Sequence, residues 1–170
     1  MKLKAILALL LVGILMLVNL GRYIIHSRKI DVIYVSHSGF GETTPEYKID
    51  LKNKQFWKYT ATGRGAEYVR RNPAAPNEGF QFVRDLEDSK IKTFRRQAIC
   101  YGPAYWNNRY ERPNIADGHH WGMQIYFASG SQKKIFGSNR YPIFWNYMYD
   151  AFEQLTGESV LLYKRNWLNH

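Results

Sequence analysis

The sequence predicts an α+β fold: an antiparallel sheet built from two hairpins, two to three helices packed on one face, and a transmembrane helix in front. Three observations carry this. Apolar and polar residues alternate strictly at Tyr47, Ile49 and Leu51 and again at Trp121, Met123, Ile125 and Phe127, and each run is followed by a turn and a return strand. A helical stripe runs from Ile143 to Leu155 and closes on Gly157. An almost uninterrupted apolar run fills residues 5–20.

The run opens after Met-Lys-Leu-Lys and is broken by Gly21 and Arg22, then resumed by Tyr23, Ile24 and Ile25. A spanning helix takes about 20 residues, which residues 5–25 supply if Arg22 snorkels to the interface. A cleaved signal is the rival reading, but Val18-Asn19-Leu20 offers no small residues for a cleavage site. The expected organisation is thus an anchor or uncleaved signal over 1–25, a basic linker over 26–30, one α+β domain over 31–163 and a polar tail over 164–170. A short basic N-terminus followed at once by an apolar run stays inside, so residues 30–170 are expected outside the cytoplasm.

Asp31 to His37 is rich in β-branched and aromatic residues and reads as a strand. The alternating strand from Glu46 turns at Lys52-Asn53-Lys54 and returns through Phe56, Trp57 and Tyr59. Residues 62–76 form a loop. Asn77 then reads as a helix cap, and Phe80, Val83 and Leu86, followed by Ile91 and Phe94, suggest two short helices broken near Asp88-Ser89. Residues 101–117 show no period. In the second hairpin Ser129-Gly130-Ser131 turns and Lys133 to Phe136 returns. Pro142 suits the first turn of the final helix, whose expected core stripe is Ile143, Tyr147, Met148, Ala151, Phe152 and Leu155. Ser159 to Tyr163 is apolar enough for an edge strand.

Composition narrows the function. The net charge is +10 over 170 residues, but residues 1–30 hold five basic and no acidic side chains, which leaves +5 for the rest. Without a basic stripe or a nucleic-acid motif, nucleic acid is not an expected partner; the expected ones are a membrane through residues 5–25 and a protein or cell-wall ligand. Cys100 is the only cysteine, which excludes an internal disulfide, and it reads as a small apolar residue. No cofactor motif stands out: Gly63-Arg64-Gly65 is too short for a phosphate loop.

The best candidate binding surface is the loop carrying Tyr101, Tyr105, Trp106, Asn107, Asn108 and Tyr110. Long aperiodic loops in compact domains tend to be functional, and Tyr, Trp and Asn together suit stacking on a sugar or docking on a protein. Ser138 and Asn139, just before the last helix, read first as helix caps and second as contacts for a ligand. His119 and His120 with Asp117 are weak metal candidates, because adjacent strand residues point to opposite faces. Ser36-His37-Ser38 lacks the elbow and placed acid of a hydrolase. No catalytic constellation emerges. The expected function is a non-enzymatic, membrane-anchored binding or accessory domain of the bacterial envelope, of which an immunity protein is one version. The alternative is an envelope hydrolase using His119 or His120 with Asp117.

The stretch from Gly118 to Leu155 resembles an uncharacterised family of bacterial lipoproteins and membrane-anchored proteins. The likeness rests on Asp117-Gly118, the strand Trp121 to Phe127, the Ser129-Gly130 turn, Gly137-Ser138-Asn139 and Tyr141-Pro142. It implies an envelope location and no chemistry. Unlike the lipoproteins of that family, this chain has no lipidation cysteine near its apolar run.

Overall fold

A computed structural model describes residues 29–38, 45–60, 79–112 and 118–161, together with Gly13, Ile14 and Leu17. Seven strands form one sheet: β1 (Ile30–Ser38), β2 (Pro45–Asp50), β3 (Gln55–Thr60), β4 (Gln81–Asp85), β5 (Arg109–Glu111), β6 (His120–Phe127) and β7 (Gln132–Ser138). Two helices, α1 (Asp88–Tyr101) and α2 (Trp145–Thr156), pack on one face. The order across the sheet is β4-β3-β2-β1-β6-β7-β5.

The central strand is β1. It pairs antiparallel with β2, Ile33 facing Ile49, and with β6, Ile33 facing Ile125. The two expected hairpins therefore flank it, β2–β3 on one side and β6–β7 on the other. The Asp50 carboxylate shapes the first turn by accepting the Asn53 backbone N–H at 2.8 Å and its side-chain amide at 3.0 Å, a local substitute for backbone pairing that Asp provides in tight turns.

The expected architecture is corrected in four places. The sheet is mixed, because β5 rises inside the aromatic loop and pairs parallel with β7. The first expected helix is strand β4: Phe80, Val83 and Leu86 have helical spacing, but only six residues separate the left-handed Gly79 (φ 74°) from Leu86, and Phe82 and Val83 suit a pleat. Its Asn77 cap lies outside the described residues. No transmembrane helix is found: among the described residues no helix is long and apolar enough to cross a membrane. Of residues 1–25 only Gly13, Ile14 and Leu17 are described, each helical. The expected edge strand after α2 is also missing, since Val160 and Leu161 are buried in the core in non-strand conformation; Leu162 and Tyr163 lie outside the described residues.

The core fills the space between helices and sheet. Ile33, Val35, Ile49, Phe56, Met123, Ile125 and Ile135 meet Ile91 and Phe94 of α1 and Met148 and Phe152 of α2. Phe94 and Phe152 join the helices, their rings 4.9 Å apart. The Arg95 guanidinium ties α1 to the sheet by donating to the Leu51 carbonyl at 3.2 Å. The α2 stripe is rotated from its expected position: Trp145 is buried, whereas Ile143 and Tyr147 face out. Gly157 takes φ 73° and ends α2 by donating to the Glu153 carbonyl.

The second face of the sheet is less polar than its sequence suggests. Glu46, Lys48 and Asp50, the polar half of the β2 alternation, are all buried. Phe80 lies 5.9 Å from Tyr34 on β1 and 5.8 Å from Tyr59 on β3, which places it across β2. Lys48 Nζ sits 3.6 Å from the Asp50 carboxylate and 5.6 Å from the Trp57 ring. Burial holds the Lys48 amine below its usual pKa, while Asp50 partly restores it.

Gly137 on β7 leaves the space in which the Trp121 indole rests: a Cβ there would come within 2.0 Å of the ring. Backbone and ring cannot both yield. Gly137→Ala is therefore expected to lower unfolding stability by about 1–3 kcal/mol, as overpacked cores do. Urea unfolding followed by tryptophan fluorescence checks this, and Trp121→Leu in the same chain should recover part of the loss.

Candidate functional site

Packing on Trp121 organises the aromatic loop. The Trp121 ring lies 4.6 Å from Trp145, 5.9 Å from Tyr110 and 6.3 Å from both Trp106 and Tyr141, and its N–H donates to the Arg140 carbonyl at 3.0 Å. Trp106 in turn donates to the Tyr101 carbonyl at 2.9 Å. Lys133 on β7 donates to the carbonyls of Ala104 and Trp106. The Tyr110 hydroxyl accepts the Asn107 backbone N–H at 2.8 Å. Residues 102–108 are thus clamped to the sheet rather than projecting from it.

This clamp divides the residues expected to form a binding surface. Trp106 is only 6% exposed and belongs to the core, and Tyr110 is half-buried against it. Asn107 and Asn108 are exposed. Tyr101 and Tyr105 also face solvent, at 40% and 47%. Three residues join them that the sequence had not marked as a surface: Ile143 (69%), Phe144 (45%) and Tyr147 (42%). The Tyr101 ring lies 4.8 Å from both Phe144 and Tyr147. The end of α1 and the start of α2 therefore present one contiguous aromatic cluster. Scattered exposed apolar residues need no explanation, whereas a contiguous group marks a contact site.

The expected capping role of Ser138 and Asn139 is not what the geometry shows. Ser138 is the last residue of β7, and α2 starts beyond Phe144 without a side-chain cap. Asn139, at φ 52°, instead latches the entrance of β6: its backbone N–H donates to the His119 carbonyl and its side-chain oxygen accepts the His119 N–H, both at 3.1 Å. Asn tolerates this left-handed conformation better than most residues.

The histidines do not converge. His119 is exposed at the strand entrance, while the half-buried His120 stacks on Phe136 with rings 5.9 Å apart. Asp117 lies outside the described residues. Among the described residues no three metal-binding side chains cluster.

His37 has a structural role. It is buried on the helix side of β1, with Nε2 2.9 Å from the Val160 carbonyl, and so holds the segment after α2. Burial pushes its pKa down to about 4, against the pull of the Val160 hydrogen bond. Glu158 secures the same segment, reaching Lys58 at 3.1 Å and Arg84 at 3.6 Å. Nearby, burial and then the Glu158 charge push the Tyr47 hydroxyl up to about 12.

Compared with protein-family models, with curated proteins and with solved structures, the chain matches none.

The His37 shift sets a stability window. Below pH 6.5 the unfolded chain takes up a proton that the folded imidazole refuses until about pH 4. Stability is therefore full above pH 6.5 and falls as the pH drops toward 4, by roughly 3 kcal/mol from this group. Urea midpoints at pH 7.0 and 4.5 measure the fall. A His37→Gln chain should show a shallower one.

Proposed function

We propose that this chain is a non-enzymatic binding or accessory domain of the cell envelope, with the cluster of Tyr101, Tyr105, Ile143, Phe144 and Tyr147 as its contact surface. The observation that carries the reading is that Tyr101, Phe144 and Tyr147 are exposed with their rings packed on one another, while Tyr105 and Ile143, close to them in sequence, are exposed as well, although the adjoining core buries Trp106, Trp145 and Met148. Leaving these rings about half exposed forgoes roughly half of the 1.5–3 kcal/mol that full burial of a large apolar side chain supplies. Such an arrangement is expected where a partner supplies the burial instead.

The support is a rigid base with a wet, aromatic face. Tyr101 ends a regular helix, and Phe144 and Tyr147 flank the first turn of another whose inner face is fixed by Trp145. Rings held in this way lose little conformational entropy on binding. The apolar run at residues 5–25 supports a membrane-proximal location for the domain. An immunity protein that masks a partner is one version of this reading. Because His119 and His120 point apart, nothing in the geometry favours the hydrolase alternative.

The test is site-specific photo-crosslinking in intact cells. A crosslinking residue at position 147 should yield a discrete adduct, and one at Ser129, in the turn between β6 and β7, should not. Phe144→Ser should remove the adduct while leaving stability within about 0.5 kcal/mol, as for other surface changes. Equal adducts from positions 147 and 129 would sink the proposal. Cleavage of a C-terminal tag by external protease, in cells stripped of any outer barrier, is the expected sign of an extracytoplasmic domain.

A further inference from the structure

The two helices run antiparallel. Tyr101 of α1 lies 4.8 Å from Tyr147 of α2, and Phe94 lies 4.9 Å from Phe152. Further along, a groove of about 350 Å³ between them has Ser89, Thr93 and Gln97 on one wall and Gln154 on the other. Each step along α1 toward its start is thus matched by a step along α2 toward its end. By the same levels Arg96 stands across the seam from Asp150, and Lys92 from Glu153.

The helices are oppositely charged. α1 carries Lys90, Lys92, Arg95 and Arg96 against Asp88, whereas α2 carries Asp150 and Glu153 and no basic residue. Helical spacing aims two of each sign outward. Lys92 and Arg96, four apart, point away from the buried Ile91, Phe94 and Ala98. Asp150 and Glu153, three apart, point away from the buried Met148 and Phe152. The exposed rings of Tyr101, Phe144 and Tyr147 close one end of this charged face.

From this pattern we infer that the helix layer is a self-association surface whose partner is a second copy of this chain. The inference rests on the contact reading above and names its partner. A two-fold axis along the seam sets two helix layers face to face, keeps every level opposite itself and exchanges α1 with α2. Tyr101 of one copy then meets Tyr147 of the other, and the rings that a single copy leaves in water form the apolar centre of the contact. Arg96 of one copy faces Asp150 of the other, Lys92 faces Glu153, and the symmetry makes each contact twice. Other occupants suit only half of the face. An anionic membrane or a nucleic acid is attracted by α1 and repelled by the carboxylates of α2, and a basic protein meets the reverse conflict. The partner must carry both signs in exchanged positions at the same levels, and a second copy does so by symmetry.

The experiment is sedimentation equilibrium of the full chain in a density-matched detergent, from micromolar to submillimolar concentration. A monomer–dimer equilibrium is expected. Lys92→Glu with Arg96→Glu turns the outward charges of both helices negative, and Asp150→Lys with Glu153→Lys turns them positive. Each double variant should dimerise more weakly by about tenfold or more, because like charges then face each other. Mixing the two should restore a dimer of near wild-type strength. Tyr147→Ser should weaken the dimer by about tenfold as well, and Lys134→Glu, exposed on β7, should leave it unchanged. Circular dichroism confirms that each variant is folded. A chain that stays monomeric overturns the inference, as does a dimer indifferent to the charge variants or a mixture that fails to associate. The crosslink from position 147 separates this failure from that of the contact reading. An adduct joining two differently tagged copies supports self-association. An adduct to a different protein overturns it and leaves the contact reading standing, and no adduct removes both.

Discussion

The Trp121 indole can lie flat on the sheet only because Gly137, its neighbour on β7, has no side chain. Much of the molecule is built on that accommodation. Trp106 from the loop, Trp145 from α2, Tyr110 from β5 and Tyr141 from the α2 entrance all pack around the same ring. Two stretches distant in sequence, 106–110 and 141–145, are thereby held by one side chain. Aromatic pairs each add about 0.5–1.5 kcal/mol beyond burial, so the assembly behaves as a unit. Its location at the β6–β7 hairpin fixes where α1 must end and α2 must begin.

The opposite half of the sheet relies on a costlier device. Burying Lys48 is tolerated because Asp50 lies beside it and the Trp57 ring faces its charge. Buried ion pairs seldom add stability over apolar residues of the same size, but removing one partner leaves a charge without compensation. Asp50 also closes the β2–β3 turn through Asn53. One carboxylate therefore sets the hairpin register and neutralises the amine, which makes β2 dependent on a residue that its alternation presents as solvent-facing.

The parts of this structure legible in the sequence are those ruled by local periodicity. The strand Trp121 to Phe127 buries the residues whose alternation marked them, and Gly157 ends α2 where its left-handed freedom is needed. What was not legible depends on partners far along the chain. Glu46, Lys48 and Asp50 read as an exposed face because alternation reports two faces without saying whether the second is covered. Phe80, Val83 and Leu86 fit a helical spacing, yet a free edge of β3 recruits the stretch between Phe80 and Leu86 into the sheet. The short β5 could not be seen at all: three residues carry no period, and a parallel partner leaves no turn signal. For the candidate site, the aromatic loop was visible as a composition. Its division into a buried Trp106 and exposed tyrosines was set by Trp121 and Lys133, which lie outside it.

The same constraint explains why the aromatic cluster is exposed. Once Trp145 is committed to the Trp121 assembly, the helical repeat directs Met148 and Phe152 inward as well. Phe144 and Tyr147 are then forced to the seam side, and Ile143 to the outer rim. Tyr101 meets them because its own carbonyl is held by the Trp106 indole. A sequence selected only for stability would place polar residues at these positions, as it does along the walls at Ser89, Thr93, Gln97 and Gln154. The helix layer therefore changes chemistry along one seam, polar amides giving way to rings within about 16 Å.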